Sequence, residues 1–171
     1  DLTKVTFINT MNANSVNYKD FSPVSISILY GNIYVANQKT AEILMITPSD
    51  ATFKTFTVKN FLIGDFPWAI KAFNDIRYGA SGISVLASTS TGLYKVDWTN
   101  SNAPVLLEAY SLGNVFSTSD NISAYISATQ NFYYVLYRDL TNTGIGALHI
   151  FMRKGTSAFL YQTIKAIPDA P

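Results

Sequence analysis

A single histidine, eleven carboxylates and no cysteine limit the chemistry open to this 171-residue chain. His149 could act as the base of a serine hydrolase only with a nucleophile on an exposed turn. No G-x-S-x-G elbow is present, and GASG at 79–82 misses the spacing. A zinc site cannot be completed around one histidine without cysteines and with few carboxylates nearby in sequence. His149 therefore reads as a packed or half-exposed strand residue. Only two of the carboxylates are glutamates, and no D-x-D-x-D-G cluster offers the several oxygens a calcium loop needs. Asp97 closes a hydrophobic run before Thr-Asn-Ser-Asn, where an aspartate commonly accepts hydrogen bonds from turn N–H groups. Asp65, Asp75, Asp120 and Asp139 fall in loop-like stretches that could converge on one face, where a carboxylate pair would serve acid–base work. No G-x-x-x-x-G-K-[ST] phosphate loop occurs, and Gly144 and Gly146 read as hairpin glycines.

Two features point to binding. The stretch NFLIGDFPWAIKAFNDIRY, residues 60–78, concentrates Trp68, Arg77 and Tyr78, residue types enriched at interaction hot spots. With Asp65 and Asp75 beside them, these five form the candidate binding set. Tryptophan and phenylalanine are equally ordinary packing residues between sheets, so a core role for Trp68 competes with the binding role. The triplet Asn121-Ile122-Ser123 is the only N-x-[ST] acceptor, which makes Asn121 the glycosylation candidate.

Elements must hold these residues, and their pattern is all-β. Runs of four to eight residues rich in Val, Ile, Tyr, Phe and Thr alternate with Gly/Asn/Asp/Ser/Pro clusters, and helical periodicity is hard to find. The runs repeat. Ile33, Val35, Ile43 and Ile46 recur fifty positions later as Ile83, Val85, Leu93 and Val96. Tyr133 and Val135 continue the series, and Leu148 and Phe151 arrive five late, after the glycine-containing connection RDLTNTGIGA. Each repeat contains four strand-like runs. The first has VSISIL, NIYVAN, EILMIT and FKTFTV. The second has AIKAF, GISVLAS, GLYKVDW and PVLLEAYS, with DIRY at 75–78 competing for its first strand. The third has SAYISA, FYYVLYR, ALHIFMR and AFLYQTI.

Four short strands per repeat of about fifty residues predict propeller blades, which bury their sheets only by stacking on neighbours. Residues 24–58, 68–111 and 122–164 are the three expected four-stranded antiparallel blades. TKVTFI at 3–8 reads as an orphan strand, the outer strand of a preceding blade. Three blades fall short of the usual four to eight and leave two blade faces open. The chain is therefore expected to be part of a longer protein or of an assembly, as its start at Asp1 rather than Met also indicates.

Residues 92–107, GLYKVDWTNSNAPVLL, resemble the LVIVD repeat: a Gly-Leu start, a hydrophobic strand ending in Asp, a Ser/Asn turn, a Pro and a second hydrophobic strand. The close match covers about residues 92–112. The outer repeats depart from it, with Thr47 and Met152 at the place of Asp97. The resemblance implies a propeller of extracellular or surface type and no single shared activity.

Composition narrows the function class. Charged residues are 13% of the chain, about half the usual share of roughly 25%. The net charge is +1 and the twelve basic residues are scattered, so nucleic acid is not an expected partner. No run of about 18 apolar residues occurs, because Asp65 and Pro67 break FLIGDFPWAI, so no membrane span is expected. Many Ser, Thr and Asn with 14% aromatics suit a secreted or cell-surface protein. The leading expectation is a non-enzymatic propeller segment, without cofactor or metal, binding a protein or glycan through loops on one face. Those loops are 37–42, 59–68, 87–92, 111–121 and 138–146. The alternative is a self-assembling structural subunit of a surface filament or layer. A propeller hydrolase or lyase with an axial site is the third and weakest reading.

Overall fold

The computed structural model describes residues 18–50, 55–76, 82–111, 122–139, 146–155 and 157–165. Among these residues, twelve strands form three antiparallel sheets, each a four-stranded meander in chain order. The first holds β1 (Pro23–Leu29), β2 (Asn32–Asn37), β3 (Glu42–Pro48) and β4 (Phe56–Leu62). The second holds β5 (Pro67–Asn74), β6 (Ile83–Thr89), β7 (Gly92–Asp97) and β8 (Val105–Ser111). The third holds β9 (Ile122–Ala128), β10 (Phe132–Asp139), β11 (Gly146–Lys154) and β12 (Ser157–Lys165). The sheets stack face to face, with β5 lying between β1 and β9. This is a three-blade, β-propeller-like fold.

The alternation of side chains along each strand fills the two seams between blades. Between the first two blades lie Tyr34, Ile43, Ile70, Val85, Val96 and Trp98, all nearly or wholly buried. Between the second and third lie Phe73, Leu86, Leu93, Tyr133, Val135 and Phe151. Each blade thus has a back face toward its predecessor and a front face toward its successor. The fifty-residue repeat preserves that distinction. Val35, Val85 and Val135 are all on back faces, and Ile43, Leu93 and Leu148 are all on front faces, by the pairing registers.

Serines join the first seam at the inner strands. The outer edge of β5 would leave N–H groups unpaired; Ile70 N donates to Ser25 Oγ at 3.2 Å and Ala72 N to Ser27 Oγ at 3.0 Å. Ser25 and Ser27 alternate with Val24, Ile26 and Ile28, which point to the back face of blade 1. Removing the hydroxyl in Ser27→Ala orphans a buried donor. We expect a loss of about 1–3 kcal/mol in urea unfolding, against little change for Ser49→Ala at an exposed turn position.

Two sequence expectations require adjustment. The fourth strand of the first blade, expected at 53–58, spans Phe56–Leu62 and so runs four residues past its expected end; residues 53 and 54 lie outside the described residues. To pair along the whole of β3 it must start opposite Pro48 and reach Glu42, which puts Leu62 opposite Glu42. The loop expected at 59–68 accordingly shrinks to 63–66, and Phe61 and Ile63 pack against the first seam. The competition for the first strand of the second blade is resolved for AIKAF, inside β5. The orphan strand expected at 3–8 lies outside the described residues. Among the described residues no helix is long and apolar enough to cross a membrane.

Candidate functional site

Antiparallel meanders place their connections alternately on two edges of each blade. On one edge lie the β2–β3 and β6–β7 hairpins and the β4–β5 link, with the C-terminal end of β10. On the opposite edge lie the β1–β2, β7–β8, β9–β10 and β11–β12 turns. Asp65 therefore sits at one end of β5 and Asp75 at the other, about 25 Å apart for a strand of this length. The carboxylates at 65 and 75 do not converge, contrary to the expectation that loop aspartates could meet on one face. Asp139 ends β10 on the Asp65 edge. Asp120, Asn121, Arg77 and Tyr78 lie outside the described residues.

Asp65 fastens the inter-blade link to the β6–β7 hairpin. Thr91 Oγ1 donates to its Oδ2 at 2.6 Å, and Ser90 Oγ and the Phe66 N–H donate to Oδ1 at 3.3 and 2.8 Å. Burial acts to raise the Asp65 pKa, but the hydroxyls of Thr89 and Thr91 and the N–H groups of Phe66 and Thr91 outweigh it and hold it below the usual value. The neighbouring β2–β3 hairpin is equally tied. Asn37 Nδ2 donates to Thr40 Oγ1 at 2.6 Å, and Glu42 accepts from Asn60 Nδ2 at 2.6 Å as well as from the Thr40 and Tyr18 hydroxyls. The Ile63 N–H reaches back to the Ala41 carbonyl at 3.0 Å, joining hairpin and link.

Trp68 follows this knot. Half-buried, it meets Tyr137 edge-to-face at 5.9 Å and packs against the second seam. Its other side borders an open groove of about 770 Å³ running between the inner strands β1, β5 and β9. Gln38, Trp68, Lys71, Ser123 and Tyr125 give that groove its polar and aromatic lining, and Ile26 and Ile28 its apolar wall.

Asp75, by contrast, is fully buried between blades 2 and 3. Arg153 Nη2 contacts both its oxygens at 2.8 and 2.7 Å, Lys95 Nζ lies 3.2 Å from Oδ2, and Ser84 Oγ donates to Oδ2 at 3.2 Å. Arg153 also donates to the Gln130 carbonyl at 3.1 Å and lies over the Tyr133 and Phe73 rings. The sequence did not single out Lys95 or Arg153. Their positions on strands, flanked by apolar residues, look like ordinary solvent-facing alternation.

His149 is buried on the back face of β11, as a packed strand residue. Its Nδ1 lies 3.0 Å from Thr163 Oγ1 and its ring meets Tyr137 edge-to-face at 5.8 Å. Burial first, and the Lys165 charge second, hold its pKa below the ordinary 6.5. The unfolded chain then takes up the proton before the folded one does. Stability contributed here is present above about pH 6.5 and is lost as pH falls through the folded value. His149→Leu, which installs the residue found at the equivalent Leu44, should flatten the stability profile below about pH 6.5, measured by urea unfolding at falling pH. Asp97 is the turn residue its sequence context indicates, accepting from the Thr99 N–H at 2.8 Å. Among the described residues no three His, Cys, Asp or Glu side chains come together to hold a metal.

No family model matches the chain, and no curated protein does. A solved structure, a quinonprotein alcohol dehydrogenase-like protein from Bacteroides thetaiotaomicron, aligns at 10% identity and a TM-score of 0.37. The match covers 85% of this chain and 46% of that one, so the chain spans less than half of the aligned protein's length. Membership of the LVIVD family therefore has no family match behind it; the three-blade architecture stands on the strand pairing itself.

Proposed function

We propose that this chain is a non-enzymatic segment of an extracellular or cell-surface propeller that binds a protein or a glycan through the edge carrying Asp65 and Trp68. One observation carries the reading: the link 63–66 and the hairpins at 38–41 and 90–91 are bonded to one another or to the strands beneath them. Loops held in one geometry before a partner arrives lose little conformational freedom on binding. The exposed side chains there are Lys39, Phe66 and Thr91, beside a half-buried tryptophan, a mixed aromatic and polar set suited to a sugar or to a protein surface. Low charge and abundant Ser, Thr and Asn support the extracellular setting. The non-enzymatic reading is supported by the fate of the titratable groups: His149 is packed inside a seam, both Asp65 oxygens are engaged, and Asp75 is locked in an ion pair.

Asp65→Ala releases the link from the hairpin without opening a blade seam. Binding to an immobilised glycan panel and to a panel of extracellular proteins should weaken about tenfold, equivalent to about 1.4 kcal/mol. Trp68→Ala should weaken it at least as much. Unchanged binding in both variants would remove the reading.

A further inference from the structure

The inner strands meet in the same way at both seams, but the side chains at the meeting points differ in kind. β9 lies against β5 as β5 lies against β1. Ser25 and Lys71 stand opposite Ala36 and Leu86, and Ser27 and Phe73 opposite Tyr34 and Ser84. Their partners are fifty residues apart in each case, so Lys71 takes the place of Ser25 and Phe73 that of Ser27. The groups facing them correspond too. Ile70 and Ala124 stand opposite Ala87 and Tyr137, and Ala72 and Ile126 opposite Val85 and Val135.

At the first seam donors and acceptors match. The N–H groups of Ile70 and Ala72 turn away from β6 and donate to Ser25 Oγ and Ser27 Oγ at 3.2 and 3.0 Å. At the second seam the same strand orientation turns the N–H groups of Ala124 and Ile126 away from β10, on the side where blade 2 carries Lys71 and Phe73. Neither side chain accepts a hydrogen bond from them: an ammonium only donates, and a phenyl ring carries no oxygen. Blade 2 therefore presents a cation where blade 1 presents a hydroxyl, and a donor faces a donor. Lys71, Ala124 and Ile126 all line the groove between the inner strands, whose lining contains no carboxylate. Among the described residues no ion pair involves Lys71.

Taking the glycan-binding role of the Trp68 edge from the reading above, we infer that this groove holds a carboxylated sugar, a uronic-acid residue whose carboxylate lies between the Lys71 ammonium and the Ala124 N–H. A water in that place would satisfy the N–H but leave the ammonium charge unpaired. A carboxylate accepts from both, through charge-assisted hydrogen bonds. The rest of the groove suits a sugar. The side of Trp68 that borders it offers an apolar face to ring C–H groups, and Gln38 and Ser123 offer hydrogen bonds to hydroxyls. Its volume of about 770 Å³ is that of a small-molecule site.

Isothermal titration calorimetry with a galacturonic-acid trisaccharide and with its methyl ester tests this, because the ester keeps every ring and loses the charge. Wild-type protein should bind the acid at least about tenfold more tightly than the ester. Lys71→Ser installs the hydroxyl found at Ser25, so it removes the cation and gives the Ala124 N–H an acceptor. It should weaken binding of the acid about tenfold and abolish the preference for acid over ester. Lys71→Arg should keep the preference, as should Lys154→Ser, an exposed lysine on the opposite edge. Should Lys71→Ser fail to fold by circular dichroism, Lys71→Met, which keeps the chain length and drops the charge, takes its place. Equal affinity of wild-type protein for acid and ester overturns the carboxylate site while leaving a glycan-binding Trp68 edge intact. A preference that survives Lys71→Ser does the same. Binding of neither ligand also overturns the site; the edge reading falls with it only if the wider panels show no binding that Asp65→Ala and Trp68→Ala weaken.

Discussion

Replacing Asp75 by alanine should cost more stability than any other single polar change among the described residues, about 3–5 kcal/mol. Its carboxylate is bonded to two buried cations, with Lys95, Arg153 and Asp75 side chains all 0% exposed. Removing it takes away the carboxylate between an ammonium and a guanidinium in a seam lined by Tyr133 and Phe73. Removing one cation instead improves the charge balance. Arg153→Met keeps a Lys95–Asp75 pair and fills space with an apolar chain, so its cost should be smaller, about 1–3 kcal/mol. Urea unfolding of both variants gives the comparison, and equal losses would mean that packing rather than charge governs the cluster.

The same group sets an acid limb. Burial tends to raise the Asp75 pKa, but the Arg153 hydrogen bonds and the Lys95 and Arg153 charges prevail and lower it below the usual value. An unfolded aspartate titrates near 3.9. Between that value and the lowered folded one the unfolded chain binds more protons, so the stabilisation is full above about pH 4 and is lost as pH falls through the folded value. Glu42 and Asp65 carry shifts of the same sign. Asp75→Ala should therefore be least damaging, relative to wild type, at the most acidic pH.

Trp98→Ala should be the most damaging apolar change, at about 3–5 kcal/mol, a fall in Tm on the order of 10 °C for a chain of this size. Trp98 is 0% exposed and plugs the first seam, meeting Tyr34 at 5.8 Å and Phe61 at 6.4 Å, both edge-to-face. Its backbone N–H donates to the Ile83 carbonyl at 2.8 Å, which also pins the end of the hairpin. The indole Nε1 makes no hydrogen bond among the described residues. Trp98→Phe should consequently lose much less than Trp98→Ala, because it forfeits volume but no polar contact. Scanning calorimetry of the two variants separates volume from polar loss.

What could be read from the sequence follows from how blades pack. The recurrence of Val35 at Val85 and Val135, and of Ile43 at Leu93 and, five late, Leu148, was legible because stacking demands apolar side chains at fixed rows. That the first set lies on back faces and the second on front faces came only with the strand pairing. His149 and Asp97 were legible for the same local reasons, a strand position among apolar neighbours and a strand end before a polar turn. The Asp75 cluster was not legible. Its members come from three separate strand ends or strands, and Lys95 stands where the other repeats carry Met45 and Ile150, so nothing in its own segment marks it as buried. The β4 boundary was missed because FKTFTV and TVKNFL offer the same alternation, and only pairing with β3 chooses between them. At the candidate edge, Asp65 and Trp68 could be picked out by residue type. The hydroxyls of Thr89, Ser90 and Thr91 that hold Asp65 could not, since they lie some 25 residues downstream and meet it only through the stacking of strands.

The most direct test of the account compares the two edges of the blades in one binding experiment. One variant replaces the loops at 38–41 and 90–91 with Gly-Ser segments; the other does the same to the turns at 99–103 and 129–131 on the opposite edge. Both are measured against the same panels of glycans and extracellular proteins, with thermal unfolding as a control. The account predicts that binding is lost in the first variant and kept in the second, with both still folded. Binding kept in the first and lost in the second, or equal in both, would contradict it.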